Sequence, residues 1–362
     1  MPLTRFTFAP ALALALAATP IAHGQRYDVK PLVTDTGAGG TTTDIRLVNP
    51  WGVARSSGGP FWVSDNGTGK STLYDGNGVP QGLIVTVAPI PKSDAPATPT
   101  GVVFNGNPNS FLLEPGAAAI FIFVTEDGTI SGWNPGLNLH NSLLRVNQSP
   151  GSVFKGATIG QIAGADYLFA ADFRVGEVAV YNSQFHKVTL SPGAFTDSKL
   201  PAGYAPFNVQ NIGGNIFVAF AKQDDVKHDE VDGAGNGFVD VFNTSGKLLL
   251  RLEHNDALNA PWAMTMASQD FGAFSHDILV GQFGNGWITA FDPVTGRFLG
   301  LLNDAGGNII AINGLWGLSF GNGKTAGPQN TLFFSAGTDN EHHGTFGTLT
   351  PAAGTLTQGN DR

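Results

Sequence analysis

One pattern returns six times along the chain and limits its fold more than any other feature. An apolar run opens on a small-residue turn, in three copies with a tryptophan. The copies are NPWGVA (49–54), PTGVVF (99–104), GATIGQIA (156–163), APFNVQNI (205–212), APWAMTMA (260–267) and GLWGLSFG (314–321). They recur about every 49–58 residues, the spacing of propeller blades. A second run follows each copy, at 60–65, 119–127, 166–172, 215–222, 277–283 and 331–337. These runs are almost continuous in Val, Ile, Leu and Phe, as strands buried on both faces are. Third runs at 71–76, 129–136, 177–183, 237–246, 287–296 and 344–351 alternate better and mostly end in Asp, Asn, Gly or Pro, the chemistry of hairpin turns.

Fourth runs follow at 82–87, 142–146, 187–191, 247–252 and 297–302, but the sixth repeat has no clear one. Residues 27–33 form an orphan strand at the other end. The sequence therefore predicts an all-β, six-bladed β-propeller of four-stranded antiparallel blades, closed by the N-terminal strand. Residues 355–358 are the alternative source of the missing strand.

Composition agrees with many tight turns between short strands: 49 glycines, 22 prolines and only 13% charged residues. Residues 1–24 read as a signal peptide, with Arg5, an apolar stretch and small residues at 22–24. That stretch falls short of the ~20 residues a membrane span needs. Residues 25–362 are then a single propeller domain, exported to the periplasm or beyond. The net charge of −9 argues against nucleic acid or an anionic membrane as partner. With no cysteine, thiol catalysis, thiolate zinc sites and iron–sulfur clusters are excluded, and the core has no disulfides to support it.

Three stretches resemble an exported bacterial family of NHL-type propellers: residues 49–78, QDDVKHDEVDGAGNG with its flanks (221–242), and SAGTDNEHHGTFGTLTP (335–351). The resemblance runs over nearly the whole mature chain. It implies the fold and export, and it brings no catalytic residues with it.

In a propeller, the loops entering the innermost strands and those leaving the second strands share one face. The acids and amides there surround the channel mouth. Those entering are Asn49, Asn259 and Asn313; those leaving include Asp65, Asn66, Glu126, Asp127, Asp172 and Gln282. Turn chemistry accounts for each one singly, while a ring of them suits a ligand.

Two loops are richer. The fourth repeat carries Asp224, Asp225, His228, Asp229, Glu230 and Asp232 within nine residues, an oxygen density that suits a hard cation such as Ca²⁺. A solvated acidic loop is the other reading. In the sixth repeat, Asp339, Glu341, His342 and His343 offer a second set, in which His343 or His342 with Glu341 suits a transition metal; a plain surface loop is the other reading. Trp51, Trp262 and Trp316 fill one equivalent place in three repeats. They suit wedges packed between blades, or a ligand platform in the channel. No Gly-x-Ser-x-Gly elbow and no phosphate-cradling loop occurs.

Two functions stay open. One is a binding or scaffold module for a peptide, glycan or partner protein at the channel rim. The other is a metal-dependent hydrolase or lyase of the kind found on lactonase-like propellers, with a cation polarising a carbonyl or activating water.

Overall fold

The computed structural model describes residues 26–353, and nearly all of its regular structure is strand. The six predicted quartets are six antiparallel sheets. The first blade runs Pro50–Arg55, Phe61–Asp65, Lys70–Tyr74 and Val85–Thr86 from axis to periphery, and the next four repeat this order. Successive inner strands pack side by side around the axis, and the sixth returns to the first. The expected signal peptide and residues 355–358 lie outside the described residues.

The middle strands are buried throughout, as Phe61–Asp65, Phe121–Thr125, Ile278–Gln282 and Leu332–Ala336 show. Their side chains interleave with those of the neighbouring blade, so apolar clusters mark the blade interfaces. Between blades one and two, Trp62 stacks on Phe121 at 4.1 Å and meets Trp133 at 4.6 Å. Each such ring removes enough apolar surface from water to contribute about 1.5–3 kcal/mol.

The last blade closes as the orphan strand required. Arg26–Thr34 pairs antiparallel with Thr345–Pro351, from Tyr27 opposite Pro351 to Thr34 opposite Thr345. Tyr27 and Val33 are fully buried by this pairing. Arg26–Thr34 also pairs in parallel with Asn303–Asp304, which follow the fifth blade. Asp35 adds a clasp: its carboxylate takes a 2.7 Å bond from His343 Nδ1 and a 3.1 Å bond from the Gly344 amide.

Every inner strand has a register shift at the same place: between Pro50 and Val53, Phe154 and Ala157, Pro206 and Asn208, Pro261 and Ala263, and Leu315 and Leu318. In the second blade it lies opposite Phe123–Thr125. Such bulges re-aim the side chain they carry. Just beyond, the inner strands form a collar of Gly52, Gly101, Ala157, Asn208, Ala263 and Gly317, enclosing only about 30 Å³. Gly52 is obligatory here, because a Cβ would lie 2.5 Å from the Thr100 carbonyl oxygen.

Deleting residues 26–34 should leave the edge of Thr345–Pro351 unpaired and strip the last interface of Tyr27 and Val33. The expected outcome is aggregation on purification, or a melting temperature lower by at least about 10 °C. An unchanged melting curve for a monomeric truncation contradicts this account of closure.

Candidate functional site

The bulge position carries Trp51, Thr100, Lys155, Phe207, Trp262 and Trp316 in blades one to six. Trp51 stacks on Trp316 at 3.4 Å, Trp262 meets both edge-on at 5.8 and 5.9 Å, and Phe207 lies 6.4 Å from Trp51. The first and fourth blades face each other across the ring, so this last contact shows that the rings plug the axis. The three repeated tryptophans thus meet one another in the channel and do not sit in separate wedges. Trp62 and Trp133 take the wedge role. Phe173 and Phe283 extend the plug, and the Nε1 atoms of Trp51 and Trp262 have no acceptor among the described residues.

Lys155 is the odd member of this ring. It is fully buried, yet its Nζ lies 5.0 Å from the Trp51 ring centre and 5.8 Å from that of Phe207. The ammonium donates to Glu126 Oε1 at 2.5 Å and to Asp229 Oδ1 at 3.2 Å. Burial alone would lower its pKa. Glu126, Glu230 and Asp229 outweigh that and hold it above the usual lysine value. Lys155 is therefore a permanent cation seated on an aromatic floor.

Around it a chain of polar contacts crosses several blades. Asn66 donates to Glu126 Oε2 at 2.8 Å, and Asn49 approaches Asn66 at 3.5 Å. Asn49 Oδ1 accepts the indole N–H of Trp316 at 3.0 Å. Asn259 Oδ1 accepts the Gly233 amide at 2.8 Å and pins the long fourth-blade loop over the rim. That reach brings Glu230 near Lys155, Glu341 and Asp232, so the fourth- and sixth-blade loops share one mouth.

The candidate residues therefore divide. Asn49, Asn66, Glu126, Asp229 and Glu341 join the mouth, with His228 and Glu230. Asp65, Asp172 and Gln282 are buried and accept backbone amides of Thr72, Val153 and Asn259 at 3.0–3.2 Å. Asp127 does the same for Thr98. Asp224 accepts the His228 amide at 2.8 Å, and Asp225 and Asp232 are exposed. Asn313 caps the Asp339 amide. His343 faces Asp35, just past the closing strand, and lies 3.9 Å from Asp339.

The charges in the mouth are uneven. The His228 hydrogen bond, reinforced by Lys155, holds Asp229 down at about 2, and Asp229 raises His228 in return. Desolvation pushes Glu230 up to about 8, with Glu341 and Asp232 adding repulsion. Desolvation, then Glu126, raises Glu341, whose Oε1 is buried with no partner among the described residues. Asp339, Asn340 and Glu341 all hold left-handed backbone, at φ 53°, 51° and 66°. Such strain in three successive non-glycine residues collects at functional loops. Glu126, His228 and Asp229 present ligand atoms within 4.8 Å of one another. The Lys155 ammonium bonds two of the three, so a cation is already built into that position.

The architecture defines the class: a six-bladed β-propeller with a plugged channel and a polar mouth. No protein-family model matches the chain. Over 334 residues it is 30% identical to uncharacterized protein R648 of Acanthamoeba polyphaga mimivirus, covering 89% of this chain and 80% of that protein. Protein L690 of the same virus is 29% identical over 336 residues, covering 89% and 85%. The chain belongs to the family of R648. Among solved structures, a streptogramin B lyase superposes with a TM-score of 0.53 at 13% identity, covering 90% of this chain and 97% of that one. A Bacteroides thetaiotaomicron protein of unknown function gives 0.55 at 9% identity, covering 90% and 76%. These two likenesses show the fold alone. The NHL-type resemblance holds as a β-propeller, and the relatives named here are viral.

Glu230 gives the mouth a pH signature. Its folded-state pKa stands above the unfolded value, so its stabilising contribution is complete below about pH 4.5 and is lost as pH rises through about 8. Glu230→Gln should flatten the decline in melting temperature over that window. An identical profile in the variant and the parent contradicts the assignment.

Proposed function

We propose that the chain is an exported binding propeller whose mouth receives a positively charged group, such as a lysine or arginine side chain of a peptide or partner protein. The observation that supports this most is the crowding of Glu126, Asp229, Glu230 and Glu341 around a single lysine. Glu341 Oε1 is buried there with no hydrogen-bond partner among the described residues. An incoming ammonium or guanidinium would supply donors, lower the raised pKa values and release protons. The aromatic plug gives its stem an apolar floor. The function is recognition: the floor is closed, and the built-in cation is protonated and so no nucleophile.

Titration with an oligolysine peptide tests this. Binding should be saturable, should strengthen from about pH 5 to 8 with proton release, and should weaken with salt. Glu341→Gln and Glu126→Gln should each weaken it by about tenfold. Oligoglutamate binding equally well would overturn the reading.

A second reading rests on Glu126, His228 and Asp229: with Lys155 displaced, they could hold a divalent ion and support metal-dependent hydrolysis or elimination. Calcium on the 224–232 loop is its variant. Under the first reading EDTA leaves peptide binding and melting temperature unchanged. Loss of either, restored by Zn²⁺ or Ca²⁺, favours the second. Export rests on the leader-like residues 1–24. N-terminal sequencing of the protein from a host with a secretory pathway should start near residue 25, and an intact Met1 terminus on secreted or periplasmic material contradicts it.

A further inference from the structure

The channel has a second mouth beyond the collar, at the opposite end of the inner strands, and nothing in the rim chemistry uses it. There the strands splay into an open funnel of about 500 Å³. Its wall comes from five blades: Val53–Arg55, Val102–Phe104, Ala157–Ile159, Gln210–Asn211 and Ser319. The volume lies within the range of small-molecule sites. The collar, with room for about one water, separates it from the rim.

The lining has one charged group, Arg55, and no acid. Arg55 is half-buried, and its Nε is held on the Phe320 carbonyl. None of its ion pairs or hydrogen bonds engages the two terminal amino groups among the described residues. Burial lowers its pKa, with no carboxylate near enough to offset that. A desolvated guanidinium without a counter-ion is costly, and its planar fork fits a carboxylate in two parallel hydrogen bonds. The Gln210 side-chain amide also faces no protein partner among the described residues, although it lines both the collar and the funnel. Apolar Val53, Val102, Val103, Phe104 and Ile159 share the wall with Thr158, Asn211 and Ser319, and the surface facing the funnel is more polar than apolar.

We infer that this funnel is a second binding site, for a small organic monocarboxylate. The carboxylate pairs with the terminal amino groups of Arg55, and the body reaches across the funnel toward Gln210 on the facing blade. The two ends of the channel then have opposite preferences, cationic groups at the rim and an organic anion in the funnel.

Calorimetric titration of the full chain with 4-phenylbutyrate and its neutral twin 4-phenylbutyramide tests the site. The acid should bind saturably and at least about tenfold more tightly than the amide. Arg55→Gln should cost about tenfold or more, and Arg55→Lys less, because lysine keeps the charge but not the fork. Ser319→Glu leaves Arg55 in place and puts a like charge beside the carboxylate, so it should weaken binding to a similar degree. It also covers the case in which Arg55→Gln fails to fold. Equal affinity for acid and amide overturns the proposal. So does a folded Arg55→Gln or Ser319→Glu protein with the parental affinity, or no saturable heat for the acid up to about 10 mM.

Discussion

The close approach of six strands at one axis governs this molecule. Gly52 shows the constraint at its tightest, with the neighbouring Thr100 carbonyl where a side chain would begin. Strands packed so closely leave no room for alternating side chains, so each bulges one step earlier. The displaced side chains have only the axis to fill. Aromatic rings from blades one, four, five and six therefore stack on each other, and the ring is solid where many propellers have an opening. Rim chemistry rests on that floor, and the funnel exists because the strands diverge again past the collar.

Within the floor, the third blade places an ammonium where blades one, four, five and six place rings. A lysine this deep would shed its proton if it were alone. Glu126 and Asp229 prevent that, and they hold each other's repulsion in check through it. Asn66 orients Glu126 from the blade before, and His228 orients its neighbour Asp229 within the fourth-blade loop. Removing Lys155 would leave two carboxylates facing each other over apolar rings, a more severe loss than removing either acid.

The blade count, strand order and closure were legible because they depend on period and on the lack of one strand, both of which sequence carries directly. The rim was only partly legible. Asp65, Asp172 and Gln282 stand at strand ends just as Glu126 nearly does, and nothing in the sequence tells a side chain that folds back onto an amide from one that reaches the mouth. Glu230 and Glu341 meet through loop reach, which periodicity does not encode. Lys155 had a signal of its own. It precedes Gly156 as Trp51 precedes Gly52 and Trp316 precedes Gly317, but a repeat read as beginning at Gly156 places it one residue outside. The bulge register, invisible in a list of apolar runs, is what puts it on the axis.

The seam between Arg26–Thr34 and Thr345–Pro351 joins residues distant in sequence, Lys30 and Thr348 at 318 positions and Tyr27 and Pro351 further still. Synthesis makes one side of that seam long before the other. For all the time between, the first strand is an unsatisfied edge and the ring is an open arc. Each blade completed meanwhile buries one face and leaves the next exposed. Cooperativity therefore arrives late, with the final pairing, and the nascent chain passes most of its length in a state prone to pairing with other chains. A folding helper or slow release of the chain would act on this interval, before any native property of the finished ring comes into play.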